Sequence, residues 1–147
     1  MIEAVRNFAA SGRCIYAECG GLMYLSRALT DLDGNRLLLA GILPVETAML
    51  KSRQALGYVE ASSAPDSLWG GNSVALRGHE FHYSTVTVDD SVSEGWHAAY
   101  SVRRRRSETA EEEGFCKGSV LASYVHVHFA SCPEAAGRFV NRCGAAL

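Results

Sequence analysis

The chain has 147 residues, enough for one ordinary domain spanning 1–147. Hydrophobic residues make up 48% and charged residues 20%, which excludes wholesale disorder and fibrous composition. Fourteen basic against sixteen acidic side chains leave a net charge of −2, which argues against a nucleic-acid partner.

In chain order, Ile2 to Ala10 carries apolar residues at helical spacing, and Ser11-Gly12 ends the segment. Cys14 to Ala17 is a short apolar run suited to a buried strand. Glu18-Cys19-Gly20-Gly21 is a sharp turn, and Leu22 to Leu29 reads as helix. Asp31 to Asn35 is a turn cluster. Strands are expected at Leu37 to Leu39, Leu56 to Val59, Ser73 to Leu76, Ser84 to Val88 and Ala98 to Val102, with a loop over Ala64 to Asn72. Arg103 to Arg106, with Glu108 and Glu111 to Glu113 behind, reads as an exposed hairpin end, solvated and partly neutralised by its own acids. A last strand, Ser119 to Phe129, precedes Pro133, which opens a helix to about Cys143. This order fits an α/β domain with one mixed sheet.

The longest apolar run, Leu37 to Val45, is broken by Gly41 and Pro44. It falls far short of the roughly 20 residues that cross a bilayer, so no membrane partner is expected. The N-terminus lacks the basic start and apolar stretch of a signal peptide. Cysteines stand at 14, 19, 116, 132 and 143, an odd number with no C-x-x-C pair. That usage suits a reduced cytoplasmic compartment.

Cys19 sits where a strand turns into a helix. A turn of that kind strains the backbone and lifts the side chain above the sheet. Glycines behind it let the helix pass close to the strand. The first helical N–H groups have no intrahelical partner and are free to hold a thiolate or an oxyanion. An ordinary thiol is only a few per cent ionised at neutral pH, and a helix N-terminus beside a histidine is expected to lower its pKa by roughly two units. Taken alone, the same residues equally describe a small buried cysteine in a tight turn.

His126 and His128 flank Val127 near the end of the last strand, where alternate residues share a face. One of them serves as base to Cys19 while the other orients it, or both bind a metal, or both are satisfied strand-end residues. Gly78 to Ser84 packs His79, Glu80, His82 and Tyr83 together, as the wall of a substrate site or an interface. No pair has strong metal-ligand spacing such as H-E-x-x-H, and no metal is expected.

Tyr16-Ala17-Glu18-Cys19-Gly20-Gly21-Leu22-Met23-Tyr24-Leu25 resembles the nucleophile motif of the cobyrinic acid a,c-diamide synthases. Leu56-Gly57-Tyr58, Arg77 to Ser84 and Ser123 to Ser131 resemble that family's later motifs, in the same order. The resemblance implies a class I glutamine amidotransferase domain with a flavodoxin-like mixed sheet flanked by helices. It implies Cys19 as nucleophile, His126 as general base and the Gly20 N–H as an oxyanion donor. Glutamine would supply ammonia for amidation of two carboxylates of cobyrinate or hydrogenobyrinate, within cobalamin synthesis. Many class I members carry a glutamate two residues after the base. Here that position is His128, so a Cys-His dyad is expected, with His128 or another group orienting His126.

Relatives also carry an ATP-binding synthetase domain. No G-x-x-x-x-G-K-[ST] occurs in this sequence, so ATP and Mg2+ are expected on that domain and no cofactor on this segment. The resemblance starts at the helix before the nucleophile strand. A C-terminal part of the amidotransferase domain is therefore expected, without its first strand and Gly-rich loop. Weak or no glutaminase activity is expected of the chain alone, or a silent docking role beside a separate synthetase subunit.

Overall fold

A computed structural model describes residues 1–65, 67–70, 73–90, 93–105 and 107–145. Helix α1 (Ile2–Ala10) leads into strand β1 (Ile15–Glu18), which turns at Cys19 into α2 (Gly20–Leu25). Next come β2 (Ala28–Thr30), β3 (Arg36–Leu38), β4 (Val45–Met49), β5 (Ala55–Ser63), β6 (Ala75–His82) and β7 (Ser84–Val88). They are followed by β8 (Tyr100–Arg104), β9 (Ala110–Glu113), β10 (Phe115–Lys117), β11 (Val120–Ser123) and β12 (His126–Val127). A 3-10 turn (Phe129–Ser131) and α3 (Pro133–Ala145) close the chain.

The expected α/β class holds, but the single mixed sheet does not. Among the described residues the strands form three sheets, in the orders β1-β11-β10, β12-β6-β5-β8-β9 and β3-β2-β4-β7. The first is buried on both faces. Tyr16 and Leu121 join one apolar core with Trp69, Tyr100, Val102 and Val127. Ile15, Ala17, Val120 and Ala122 join a second core with Leu22, Leu25, Leu43 and Val45. Alternation along β1 and β11 thus feeds two cores, which is why both segments read as unbroken apolar runs. β1 and β11 run parallel, with Glu18 opposite Ser123.

The five-stranded sheet buries one face only. Val59, Ala61, Leu76 and Val102 point inward, while Leu56, Tyr58, His79 and Phe81 line the other, exposed face. The expected last strand breaks after Ser123. Its hydroxyl accepts the Val125 N–H at 2.8 Å and donates to Glu113, which turns the chain away from β1. Two residues later it pairs with β6, His126 opposite His79 and Val127 opposite Gly78. A Cβ at Gly78 would lie 2.3 Å from the His126 carbonyl oxygen, so only glycine permits this approach.

Other boundaries move for similar reasons. The helix expected to run to Leu29 stops at Leu25, because Ala28–Thr30 pairs with β3 and β4. Arg103 and Arg104 lie within β8, and the β8–β9 hairpin carries the charged excursion as expected. Arg106 lies outside the described residues, as do Asp66, Gly71 and Asn72 of the expected 64–72 loop. That loop also holds core residues, since Leu68 and Trp69 are fully buried. Among the described residues no helix is long and apolar enough to cross a membrane.

Candidate active site

Cys19 forms the bend between β1 and α2 at φ 48° and ψ −104°, the single positive φ outside glycine among the described residues. Such a conformation costs on the order of 1–3 kcal/mol and persists only where its surroundings enforce it. Here the Cys19 N–H donates to Ser123 at 2.8 Å, and the Cys19 carbonyl accepts the Met23 N–H at 3.1 Å. A Cβ at Gly21 would lie 3.2 Å from the Ala17 Cβ, so the helix does pass tightly over the strand. Gly20 is different. It is exposed, and apart from its chain neighbours and its own helix backbone no atom lies within 4 Å of where its Cβ would be, so the start of α2 is open on that side.

The half-buried Cys19 Sγ lies 3.8 Å from the Phe81 carbonyl on β6. Two residues back on that strand, the His79 ring stacks on His126 with centroids 4.7 Å apart and planes 10° from parallel. Cys19 and His126, 107 positions apart in sequence, thus abut one short stretch of β6. The thiol does not behave as the helix argument expects. Burial pushes it up, the Glu18 carboxylate adds to that, and only the Gly20 N–H opposes them. A six-residue helix offers little dipole, and burial outweighs it.

Glu18 is the feature sequence reasoning missed. Its Oε2 lies 3.6 Å from His126 Nδ1. Its Oε1 accepts the Val127 N–H at 2.7 Å and the Tyr16 hydroxyl. The signal was present in the position itself, since the residue before a strand-end nucleophile shares its end of the sheet. His128 stands apart from this group. It is exposed, it lies beyond the two-residue strand β12, and its N–H donates to the Arg77 carbonyl at 2.9 Å.

The Gly78–Ser84 patch divides between two environments. His79 shares the exposed face with Tyr58, its partner in register, and with Phe81. Tyr83 packs edge-on against Phe81 at 5.6 Å. Glu80 faces the other way, 2% exposed, and accepts from Arg104 Nε at 2.8 Å and Nη2 at 3.0 Å. His82 stacks on Tyr124 at 3.8 Å, and its Nδ1 lies 2.9 Å from the Ser84 carbonyl, so that nitrogen carries a proton. The Tyr124 hydroxyl meets Ser84 Oγ at 2.7 Å. Beside the exposed face, Tyr58, Arg77, Gly78, Arg103 and Arg105 line a groove of about 530 Å³.

The CobB/CobQ-like glutamine amidotransferase domain matches residues 1–133. The chain belongs to that family. Cobyrinate a,c-diamide synthase of Syntrophotalea carbinolica is 48% identical over 143 residues, 97% of this chain and 31% of the relative. The enzyme of the same name from Leptospira interrogans serovar Lai is 41% identical, with the same shares covered. The amidotransferase domain thus spans about a third of the length of the curated relatives it matches. A crystal structure of a glutamine amidotransferase superposes with a TM-score of 0.62 at 17% identity, covering 97% of this chain and 68% of that one. A glutamine amidotransferase of Thermotoga maritima superposes at 0.52 with 12% identity, covering 99% and 59%. The domain therefore has the glutamine amidotransferase fold.

Proposed function

We propose that this domain is the glutaminase portion of an ATP-dependent cobyrinate a,c-diamide synthase, a glutamine-hydrolysing carbon–nitrogen ligase. Cys19 attacks the side-chain amide carbon of glutamine, and its thiol proton passes to His126. The N–H of the exposed Gly20, at the start of α2, receives the developing oxyanion. The imidazolium returns the proton to the departing nitrogen, releasing ammonia and leaving a glutamyl thioester. Water then hydrolyses the thioester to glutamate. Ammonia would go to the a and c carboxylates of cobyrinate or hydrogenobyrinate.

The observation that carries this reading is the strained bend at Cys19, set against the stretch of β6 that also holds His126. A cysteine used only for packing has no need of a left-handed φ, and relief of that strain would favour glycine. We assign ATP and Mg2+ to a synthetase domain, since the sequence has no phosphate-binding loop.

Burial, which pushes the Cys19 thiol up, supports a weak glutaminase in the chain alone. The test measures glutamate release from glutamine by the chain alone and mixed with the remaining part of the Syntrophotalea carbinolica relative. Hydrolysis of glutamine faster than of simple esters, abolished in Cys19→Ser, is the expected result. Equal rates for Cys19→Ser and the unaltered chain under both conditions would leave a docking module without chemistry.

A further inference from the structure

We infer that Glu18 is the positioning carboxylate for His126, facing its Nδ1 from the end of β1 while His128, two residues after the histidine, stands apart. The inference rests on the Cys19–His126 dyad proposed above and adds a third member to it.

The geometry separates the two oxygens of this carboxylate. Oε1 is structural. It accepts the Val127 N–H at 2.7 Å and the Tyr16 hydroxyl, tying the end of β1 to β12. Tyr16 is itself wedged among Trp69, Phe129 and Phe139, with centroids 4.9, 5.9 and 6.0 Å away. The carboxylate is therefore fixed from below by a packed aromatic ring. Oε2 has no such partner. It points at His126 Nδ1 from 3.6 Å, and among the described residues no arginine or lysine pairs with Glu18. Both side chains are partly sheltered, 33% exposed for His126 and 27% for Glu18.

A carboxylate at that place favours the tautomer with the proton on Nδ1, because Oε2 only accepts. Nε2 is then the ring nitrogen left to take the Cys19 proton. The separation is longer than a hydrogen bond, as is common for catalytic contacts before substrate binds. His79 covers one face of the ring at 4.7 Å and limits its swing. During the reaction the proton moves from sulfur to Nε2 and on to the departing nitrogen. Glu18 steadies the imidazolium from Nδ1 and takes no part in the proton's path. His128 has no part in this, being exposed and beyond the strand.

Glu18→Gln isolates the role. Its amide oxygen still accepts the Val127 N–H, so the strand anchor survives. Its NH2 group then faces Nδ1 and favours the opposite tautomer. Wrong-tautomer substitutions of this type in Ser-His-Asp enzymes lower kcat by about 10⁴. The experiment uses the chain mixed with the remaining part of the Syntrophotalea carbinolica relative. It follows modification of Cys19 by a diazo-ketone analogue of glutamine and reads the His126 tautomer by 15N NMR, with His126→Ala as reference.

For Glu18→Gln the expected result is modification slowed about 100-fold or more, with the His126 proton moved from Nδ1 to Nε2. Glu18→Asp, which keeps the charge at a shorter reach, should recover part of the rate. Glu18→Gln that reacts at the unaltered rate with its tautomer unchanged, while His126→Ala is slow, overturns the inference and leaves the dyad standing. His126→Ala reacting as fast as the unaltered chain overturns the dyad, and the inference with it.

Discussion

Two carboxylates, one in each of two sheets, are held in opposite ways. Glu80 on β6 is 2% exposed, with both oxygens satisfied by the Arg104 guanidinium, which also reaches Glu111. Glu18 on β1 keeps one oxygen for the backbone and leaves the other facing a histidine that it does not quite touch. The first is a closed pair with no capacity left for a substrate or a proton. The second retains unused electrostatic strength beside a strained cysteine. A half-satisfied charge near an unusual backbone conformation is a better guide to chemistry than the density of ionisable residues. The four-residue basic run and the His-Glu-x-His patch are both denser in charge than the Glu18 site. Yet Arg103 pairs with Glu60 and Arg104 with Glu80, so much of that charge is spent on holding strands together.

The contrast breaks most visibly at Arg104. Arg104→Ala strands Glu80 as a buried unpaired charge and should cost about 3 kcal/mol, the low end for a broken buried pair because Arg104 remains 37% exposed. Urea denaturation measures this, and activity per folded molecule should persist. A loss of activity without a loss of stability would place the pair in the site.

Gly78→Ala attacks the open site through its scaffold. The added methyl meets the His126 carbonyl at 2.3 Å, so β12 must move. About 1–3 kcal/mol of destabilisation is expected, as for other overpacked sites. Modification of Cys19 should slow more than for a surface substitution of equal stability.

A pH-dependent effect concerns Glu113. Burial pushes its carboxyl up to about 7, against hydrogen bonds from Ser123 and Tyr124. Because the folded state holds this proton more tightly than the unfolded chain, the carboxyl's stabilisation is fully present below its ordinary value of 4.5. That stabilisation is lost as pH rises toward 7. Glu113→Gln should flatten that decline, read as a shallower dependence of Tm on pH between 4.5 and about 7. An unchanged pH slope would mean Glu113 titrates normally.

Much of this architecture was legible in the sequence. The helix–strand–turn–helix around Cys19 follows from apolar spacing, and the two glycines locate the bend. The exposed hairpin at Arg103 follows from its charge. Three things were not legible, each for a physical reason. The break after Ser123 depends on a side chain 10 positions away, Glu113, accepting the Ser123 hydroxyl. The stacking of His126 on His79 depends on strand register, which no local pattern records. The thiol's upward shift depends on burial within the fold, which opposes the local helix argument. Glu18 escapes a local reading because the histidine it faces lies 108 positions along the chain, whereas His128, two residues from that histidine, stands apart from Glu18 beyond β12.

The central claim is that Cys19 and His126 act as one unit on glutamine. Modification by a diazo-ketone glutamine analogue, followed by peptide mass spectrometry, tests it most directly. The chain mixed with the remaining part of its Syntrophotalea carbinolica relative should acquire one adduct, on Cys19, and none at cysteines 14, 116, 132 or 143. His126→Ala should slow that adduct by about 100-fold or more. An adduct distributed over several cysteines, or one on Cys19 indifferent to His126, would contradict the account.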